Sequence, residues 1–200
     1  ANSQEWDTII PNLRDLIRET TGRDLPVAVC EVNSHWSGAV NGEATPDSLY
    51  NAIWWADVLG RLIRQDVEIV TYFTLQSPNR TGGWGLMSGD ELRPSYYVYQ
   101  LYQQFGDQLL YASSDDTHIS VFAARREDGA LTLIVVNLGP EETEQTLMLD
   151  GLVPDGPAEV WLLDETHMAE QVVDQVLADG QPVILPAQSV TLFVVEGVAE

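Results

Sequence analysis

Through the first hundred residues the apolar positions alternate between two periods. Trp6, Ile9, Ile10, Leu13, Leu16 and Ile17 recur at helical spacing, with Asn2 or Ser3 ahead as caps and Gly22 behind. Pro11 falls inside that pattern and predicts either a kink there or a helix start close to it. L25-P-V-A-V-C-E-V32 is short and apolar and reads as a buried strand. A loop rich in Gly, Ser and Asn follows, and Thr45-Pro46 then predicts an N-cap with proline at the first helical position. The second helix is expected over residues 46–65, with Leu49, Ile53, Ala56, Leu59 and Ile63 on one face. V67-E-I-V-T-Y-F-T-L75 is a second strand of β-branched and aromatic residues; a long loop and a third helix over residues 94–105 complete the series. Helix, strand, helix, strand, helix is the order of a parallel α/β sheet or barrel.

Past Gly106 the period falls to two. H118-I-S-V-F-A-A-R-R126 and A130-L-T-L-I-V-V-N137 alternate around a turn at E127-D-G129. E144-Q-T-L-M-L-D150, the run from Pro157 to Leu163, and S189-V-T-L-F-V-V-E196 are further short strands, punctuated by Gly and Pro. Such spacing predicts an antiparallel β-sandwich. The fold expected is therefore α/β followed by all-β, with residues 1–107 as the last part of a (β/α)8 (TIM) barrel and residues 108–200 as the sandwich. Two parallel strands with three helices bury too little alone, and a complete barrel takes about 250 residues. The expectation is that the chain is the C-terminal part of a longer protein.

Composition narrows the partners. The net charge is −22, and all nine basic residues are arginine. Such a surface repels phosphate backbones and anionic lipid, which argues against nucleic acid and membrane partners, and it suits a neutral ligand such as a sugar. It also serves solubility. No apolar run reaches the roughly 18 residues of a membrane span. Cys30 is the sole cysteine, so no internal disulfide exists. His118 and His167 have no second ligand at metal spacing, and phosphate-binding, dinucleotide and serine-hydrolase motifs are absent from the sequence. No metal and no cofactor is expected. Asn79-Arg80-Thr81 matches the N-glycosylation pattern.

Glu31 is the residue with the clearest chemistry. In barrels, functional groups stand at the C-terminal ends of strands, and Glu31 is at that end of the first strand. Alternation groups Val27, Val29 and Glu31 on one face and Ala28, Cys30 and Val32 on the other. With Glu31 in the barrel mouth, Cys30 is expected to pack outward against helices as an inert thiol. The structural alternative is a carboxylate that pairs with an arginine or caps nearby backbone. Asn33, His35 and Trp36 follow Glu31 closely enough to line a binding site or simply to shape a loop. Trp84, between glycines in G82-G-W-G85, is a candidate stacking platform. Tyr72 and Gln76 are weaker candidates. Trp54, Trp55, Tyr96, Tyr97, Tyr99 and Tyr102 lie at packing spacing and are expected in the core or at a domain contact.

These stretches resemble the end of a clan A glycoside hydrolase, a (β/α)8-barrel group, and most closely its α-L-arabinofuranosidases and β-xylosidases. C30-E-V-N-S34 is similar to the segment that ends their seventh strand, and D47-S-L-Y-N-A-I-W-W-A-D-V-L-G-R-L-I63 to the helix after it. G82-G-W-G-L86 with R93-P-S-Y-Y-V-Y99 resembles the link from their eighth strand into the last helix, and L185-P-A-Q-S-V-T-L192 the close of their sandwich. The resemblance implies that Glu31 is the nucleophile of a retaining glycosidase, that Asn33, His35, Trp36 and Trp84 are substrate-binding, and that the substrate is an arabinose- or xylose-containing carbohydrate. Cys30 and Val32 stand where Thr and an aromatic residue are common. The clan's acid/base, which ends its fourth strand, has no counterpart here, so the chain alone is expected to be inactive. The rival readings are a non-catalytic carbohydrate-binding or scaffold module, and a sandwich that braces a barrel. An incomplete barrel exposes strand edges, which leaves homo-oligomerisation of the isolated chain open.

Overall fold

Helical periodicity at the start of the chain yields α1, Trp6–Thr21, in a computed structural model that describes residues 2–77, 82–177 and 180–199. The triplet Asn79-Arg80-Thr81 lies outside the described residues. Asn2 caps a 3-10 turn, Ser3–Glu5, by accepting from Gln4 N at 3.1 Å, and α1 continues from that turn. The helix runs through Pro11 to Gly22, so the proline neither starts nor ends it. What the proline removes is the ladder donor to the Asp7 carbonyl. Residues 1–96 and 97–200 form two compact units.

In the first unit, β1 (Ala28–Val32) and β2 (Ile69–Tyr72) pair in parallel, joined through α2 (Leu49–Arg64). α2 begins three residues later than Thr45-Pro46 implies, because Ser48 takes the capping role: its Oγ accepts from Asn51 N at 3.1 Å. Ala52, Ile53, Trp54, Trp55, Ala56, Val58, Leu59 and Leu62 are all buried along it. Asp57 and Arg61 are buried there too, with Arg61 Nε donating to Asp57 Oδ2 at 2.9 Å and a second pair joining Arg61 to Asp7 of α1. Burial works against the Arg61 charge, yet hydrogen bonding and attraction to Asp57 and Asp7 outweigh it and raise the pKa. α1 is covered far less: Ile10 is buried while Ile9, Leu13 and Leu16 are exposed, as are Ile69, Phe73 and Leu75 around β2. Two parallel strands leave open the faces that a larger parallel sheet would bury.

After β2 come three two-residue strands, β3 (Gln76–Ser77), β4 (Met87–Ser88) and β5 (Glu91–Leu92), in one small sheet, and then α3 (Pro94–Tyr102).

The second unit is antiparallel throughout. Its strands are β6 (Gln108–Leu110), β7 (Ile119–Arg125), β8 (Leu131–Asn137), β9 (Thr143–Thr146) and β10 (Leu152–Pro154). They are followed by β11 (Ala158–Leu163), β12 (Met168–Gln175), β13 (Pro182–Leu185), β14 (Ser189–Val195) and β15 (Gly197–Ala199). Six make one sheet in the order β12-β11-β14-β8-β7-β6, and β9 with β13 and β10 with β15 make two ribbons. One core joins the layers: Leu133, Val135, Val160 and Phe193 of the sheet pack with Leu152, Val183 and Leu185 of the ribbons. The β7–β8 turn closes at Gly129, whose φ of 93° suits glycine. β12 is an edge strand that the apolar pattern does not announce, since M-A-E-Q-V-V-D-Q carries no regular alternation.

Arg61→Met strands the fully buried Asp57 carboxylate and is expected to destabilise the chain by about 3–5 kcal/mol. Adding Asp57→Leu should restore most of that loss. Urea unfolding of both variants, followed by circular dichroism, checks the pair.

Candidate functional site

β1 gains one residue over β2 before it ends. Ala28 faces Ile69 and Val29 faces Val70, but Val32 faces Tyr72, so three steps on β1 match two on β2. This β-bulge falls at Cys30 and Glu31, and a bulge re-aims the side chains that follow it. Simple alternation therefore does not hold. Val27 and Val32 are each 4% exposed, whereas Ala28, Cys30 and Glu31 are all exposed. Glu31 does not share the buried face of Val27, and Cys30 does not pack against helices; it is an exposed free thiol. Thr71 Oγ1 donates to the Cys30 carbonyl and Phe73 N to the Val32 carbonyl at 2.9 Å, which fixes the backbone on both sides of Glu31. No hydrogen bond or ion pair from a described residue engages the Glu31 carboxylate, so among those residues it neither pairs with arginine nor caps backbone.

Asn33 turns the strand end into an anchored loop. Its Nδ2 donates to the Phe73 carbonyl at 2.7 Å and lies 3.4 Å from the Trp84 carbonyl, and its Oδ1 accepts from His35 N at 3.3 Å. An amide, with donor and acceptor on one group, suits both tasks. The His35 carbonyl accepts from Trp84 Nε1 at 2.9 Å, and His35 Nδ1 lies 3.1 Å from Ser37 N. Trp36 stacks on the His35 ring, with centroids 5.9 Å apart and planes at 18°, and is 90% exposed. The Trp84 indole is half-buried, tilted against Phe73 at 5.8 Å. The structure thus joins Asn33, His35, Trp36 and Trp84 in one network at the end of β1, next in sequence to Glu31. Gln76 is apart from that network, with Nε2 on the Gly89 carbonyl at 2.8 Å.

Tyr72 lies beneath this network. Its hydroxyl accepts from Asn51 Nδ2 at 2.9 Å, and the same nitrogen lies 2.6 Å from Ser95 Oγ. Burial raises the Tyr72 pKa above its usual 10.0, outweighing hydrogen bonding with Asn51, Ser95 and Asn33 and the nearby charge of Arg93. Arg93 and Asn51 are residues that the sequence reading missed. Each is a buried polar group beside a helix start, and that placement is their only sequence signal. Among the described residues no group of His, Cys, Asp or Glu could hold a metal ion. No helix among them is long and apolar enough to cross a membrane.

The comparisons agree with this geometry at the level of fold. A family model described as D-apionate lactonase, C-terminal immunoglobulin-like domain, matches residues 116–192. No curated protein matches the chain. Among solved structures, CelM2, a bifunctional glucanase-xylanase from a metagenome library, superposes with a TM-score of 0.74 at 25% identity, covering 96% of this chain and 34% of that one. A thermostable GH51 alpha-L-arabinofuranosidase from Thermotoga petrophila gives 0.77 at 16% identity, covering 97% and 48%. A GH30 endoxylanase from Clostridium papyrosolvens gives 0.71 at 14% identity, covering 94% and 46%. The structures it matches are clan A glycoside hydrolases. The chain resembles their C-terminal portion, and it spans 34% to 48% of the length of these three.

With a raised folded pKa, the stability that the neutral Tyr72 phenol contributes is fully present below the usual 10.0 and is lost as pH rises through the folded value. In an alkaline titration followed by phenolate absorbance, Tyr72 should contribute a step above the usual 10.0. Tyr72→Phe should remove that late step and reduce the loss of stability at high pH.

Proposed function

We propose that this chain is the C-terminal portion of a retaining glycoside hydrolase that cleaves arabinose- or xylose-type glycosidic bonds, with Glu31 as its nucleophile. One observation carries the reading: Glu31 is an exposed carboxylate that no described residue engages, at the C-terminal end of a parallel strand and beside a bulge. The likeness in fold to xylanases and an arabinofuranosidase supports it. On this reading residues 1–107 are the last part of a (β/α)8 barrel, and residues 108–200 are its sandwich.

In the mechanism, a Glu31 carboxylate oxygen attacks the anomeric carbon while a second carboxyl group protonates the departing glycosidic oxygen. The C–O bond to the leaving group breaks as the glycosyl–Glu31 ester forms. Water, deprotonated by the second carboxylate, then attacks the same carbon and releases Glu31. The two groups must lie about 5–5.5 Å apart. Among the described residues the network at the strand end, formed by Asn33, His35, Trp36 and Trp84, contains no carboxylate, and the reading assigns the acid/base to sequence outside this chain. Asn33 fixes the strand end, and Trp36 and Trp84 offer aromatic surface to the sugar.

A second reading, a non-catalytic carbohydrate-binding module, draws on Trp36, whose indole stands almost wholly in solvent. Such a module binds saccharide without using Glu31.

In the full-length protein that contains this chain, Glu31→Gln is expected to abolish turnover of aryl arabinosides and xylosides while saccharide binding persists. A fluorinated glycoside inactivator should label Glu31, as mass spectrometry of the peptides would show. The 200-residue chain alone should turn over neither substrate. Intact turnover in Glu31→Gln sinks the enzymatic reading, and robust turnover by the isolated chain sinks the assignment of the acid/base.

A further inference from the structure

We infer that Arg93 is a positioning residue, one that holds the Trp84 indole in place at the end of β1 by clamping the carbonyls on either side of it. Its side chain is buried, with the residue 6% exposed. Its guanidinium is turned onto backbone carbonyls. Nη1 donates to the carbonyls of Gly83 at 2.8 Å and Gly85 at 3.1 Å, and Nη2 to that of Gly82 at 3.2 Å. These three residues flank Trp84 on both sides. A planar guanidinium spreads five donors over three nitrogens in a rigid fork and can span three carbonyls, whereas an ammonium gathers its three donors on one nitrogen and cannot match that spread.

The rest of the loop is shaped to accept that clamp. Gly85 N donates to the buried Ser77 Oγ at 2.7 Å, and Gly83 N to the Gly38 carbonyl at 2.8 Å. Gly83 adopts a φ of 88°, and a Cβ there would lie 2.4 Å from Ser77 Oγ, so both backbone conformation and space require glycine. A chain of three glycines around one tryptophan is flexible in isolation. With its carbonyls and amides held, the only large side chain on it has a fixed origin. Trp84 then reaches the His35 carbonyl through Nε1, and its own carbonyl accepts from Thr74 N at 3.3 Å and from Asn33. Arg93 thus acts on the strand end through Trp84 and touches none of the predicted sugar contacts itself.

The test reads Trp84 directly. Hydrogen exchange of the six tryptophan indole N–H groups is followed by NMR, with Trp84 assigned through Trp84→Phe. In Arg93→Lys, Trp84 Nε1–H exchange should accelerate by about tenfold or more, the change expected from losing hydrogen bonds to a charged donor, while the other indoles keep their rates. In the unaltered chain, the Arg93 Nη protons should exchange slowly with solvent, a measurement that needs no variant. An unchanged Trp84 rate, a common acceleration of all indoles, or freely rotating Arg93 Nη groups would each overturn the inference. Only the saccharide step rests on the proposed function: in the full-length protein, Arg93→Lys should raise KM and leave kcat nearly unchanged. Accelerated Trp84 exchange with KM unmoved supports the clamp and removes Trp84 from the sugar-binding surface.

Discussion

The extra residue in β1 is the constraint on which the candidate site depends. Without it, Glu31 would share a face with Val27, which is buried, and the carboxylate would meet apolar packing. Burying an unpaired carboxylate costs several kcal/mol or shifts it to the neutral form. The bulge avoids that cost by giving Cys30 and Glu31 consecutive exposed positions while Val32 returns to the core. Two hydrogen bonds hold it: Thr71 Oγ1 to the Cys30 carbonyl and Phe73 N to the Val32 carbonyl. Both donors belong to the β2 segment, so the neighbouring strand defines the geometry of the one that carries the carboxylate.

Beyond the bulge, the site is built mostly from side chains bonded to main-chain groups. Asn33 engages the Phe73 carbonyl, Trp84 the His35 carbonyl, Arg93 the carbonyls of three glycines, and Ser77 the Gly85 amide. Irregular backbone near a core must find partners for every peptide group, and these polar side chains supply them. The arrangement also explains why tryptophan and glycine occur together in G82-G-W-G85. Small residues let the chain approach Gly38 and Ser77 closely, and the one large residue is left to project.

Much of the fold was legible because periodicity records burial. α2 and the strands β7, β8, β11 and β14 carry strong apolar patterns, and each formed near its expected position. The Trp54–Trp55 pair was legible for the same reason. What stayed hidden depends on partners distant in sequence. The bulge is a property of pairing with β2, and alternation along β1 alone groups Glu31 with the buried Val27 and covers Cys30, whereas both Cys30 and Glu31 are exposed. Ser48 displaced Thr45 as cap through the reach of a hydroxyl to Asn51 N, a matter of geometry between two eligible residues. Among the described residues β12 pairs with β11 alone at the sheet edge, and only Ala169 and Val172 of it meet apolar surroundings, too few to set a regular alternation. Arg93 looked like one arginine among nine, because only the folded loop brings three carbonyls to it.

The contrast between α1 and α2 bears on how such a site can exist in a segment with open faces. α2 is buried along nearly its whole length, whereas the Ile9, Leu13 and Leu16 stripe of α1 and the Ile69 and Leu75 positions around β2 stand in solvent. Apolar surface of that kind weakens a unit globally. The network that orders Asn33, His35 and Trp84, however, closes within residues 33–93, and of the exposed apolar residues it draws on Phe73, through its carbonyl and its ring. Tyr72, Asn51 and Ser95 support it from below through buried hydrogen bonds that are costly to break. The strand end that carries Glu31 is therefore arranged by contacts local to its own unit.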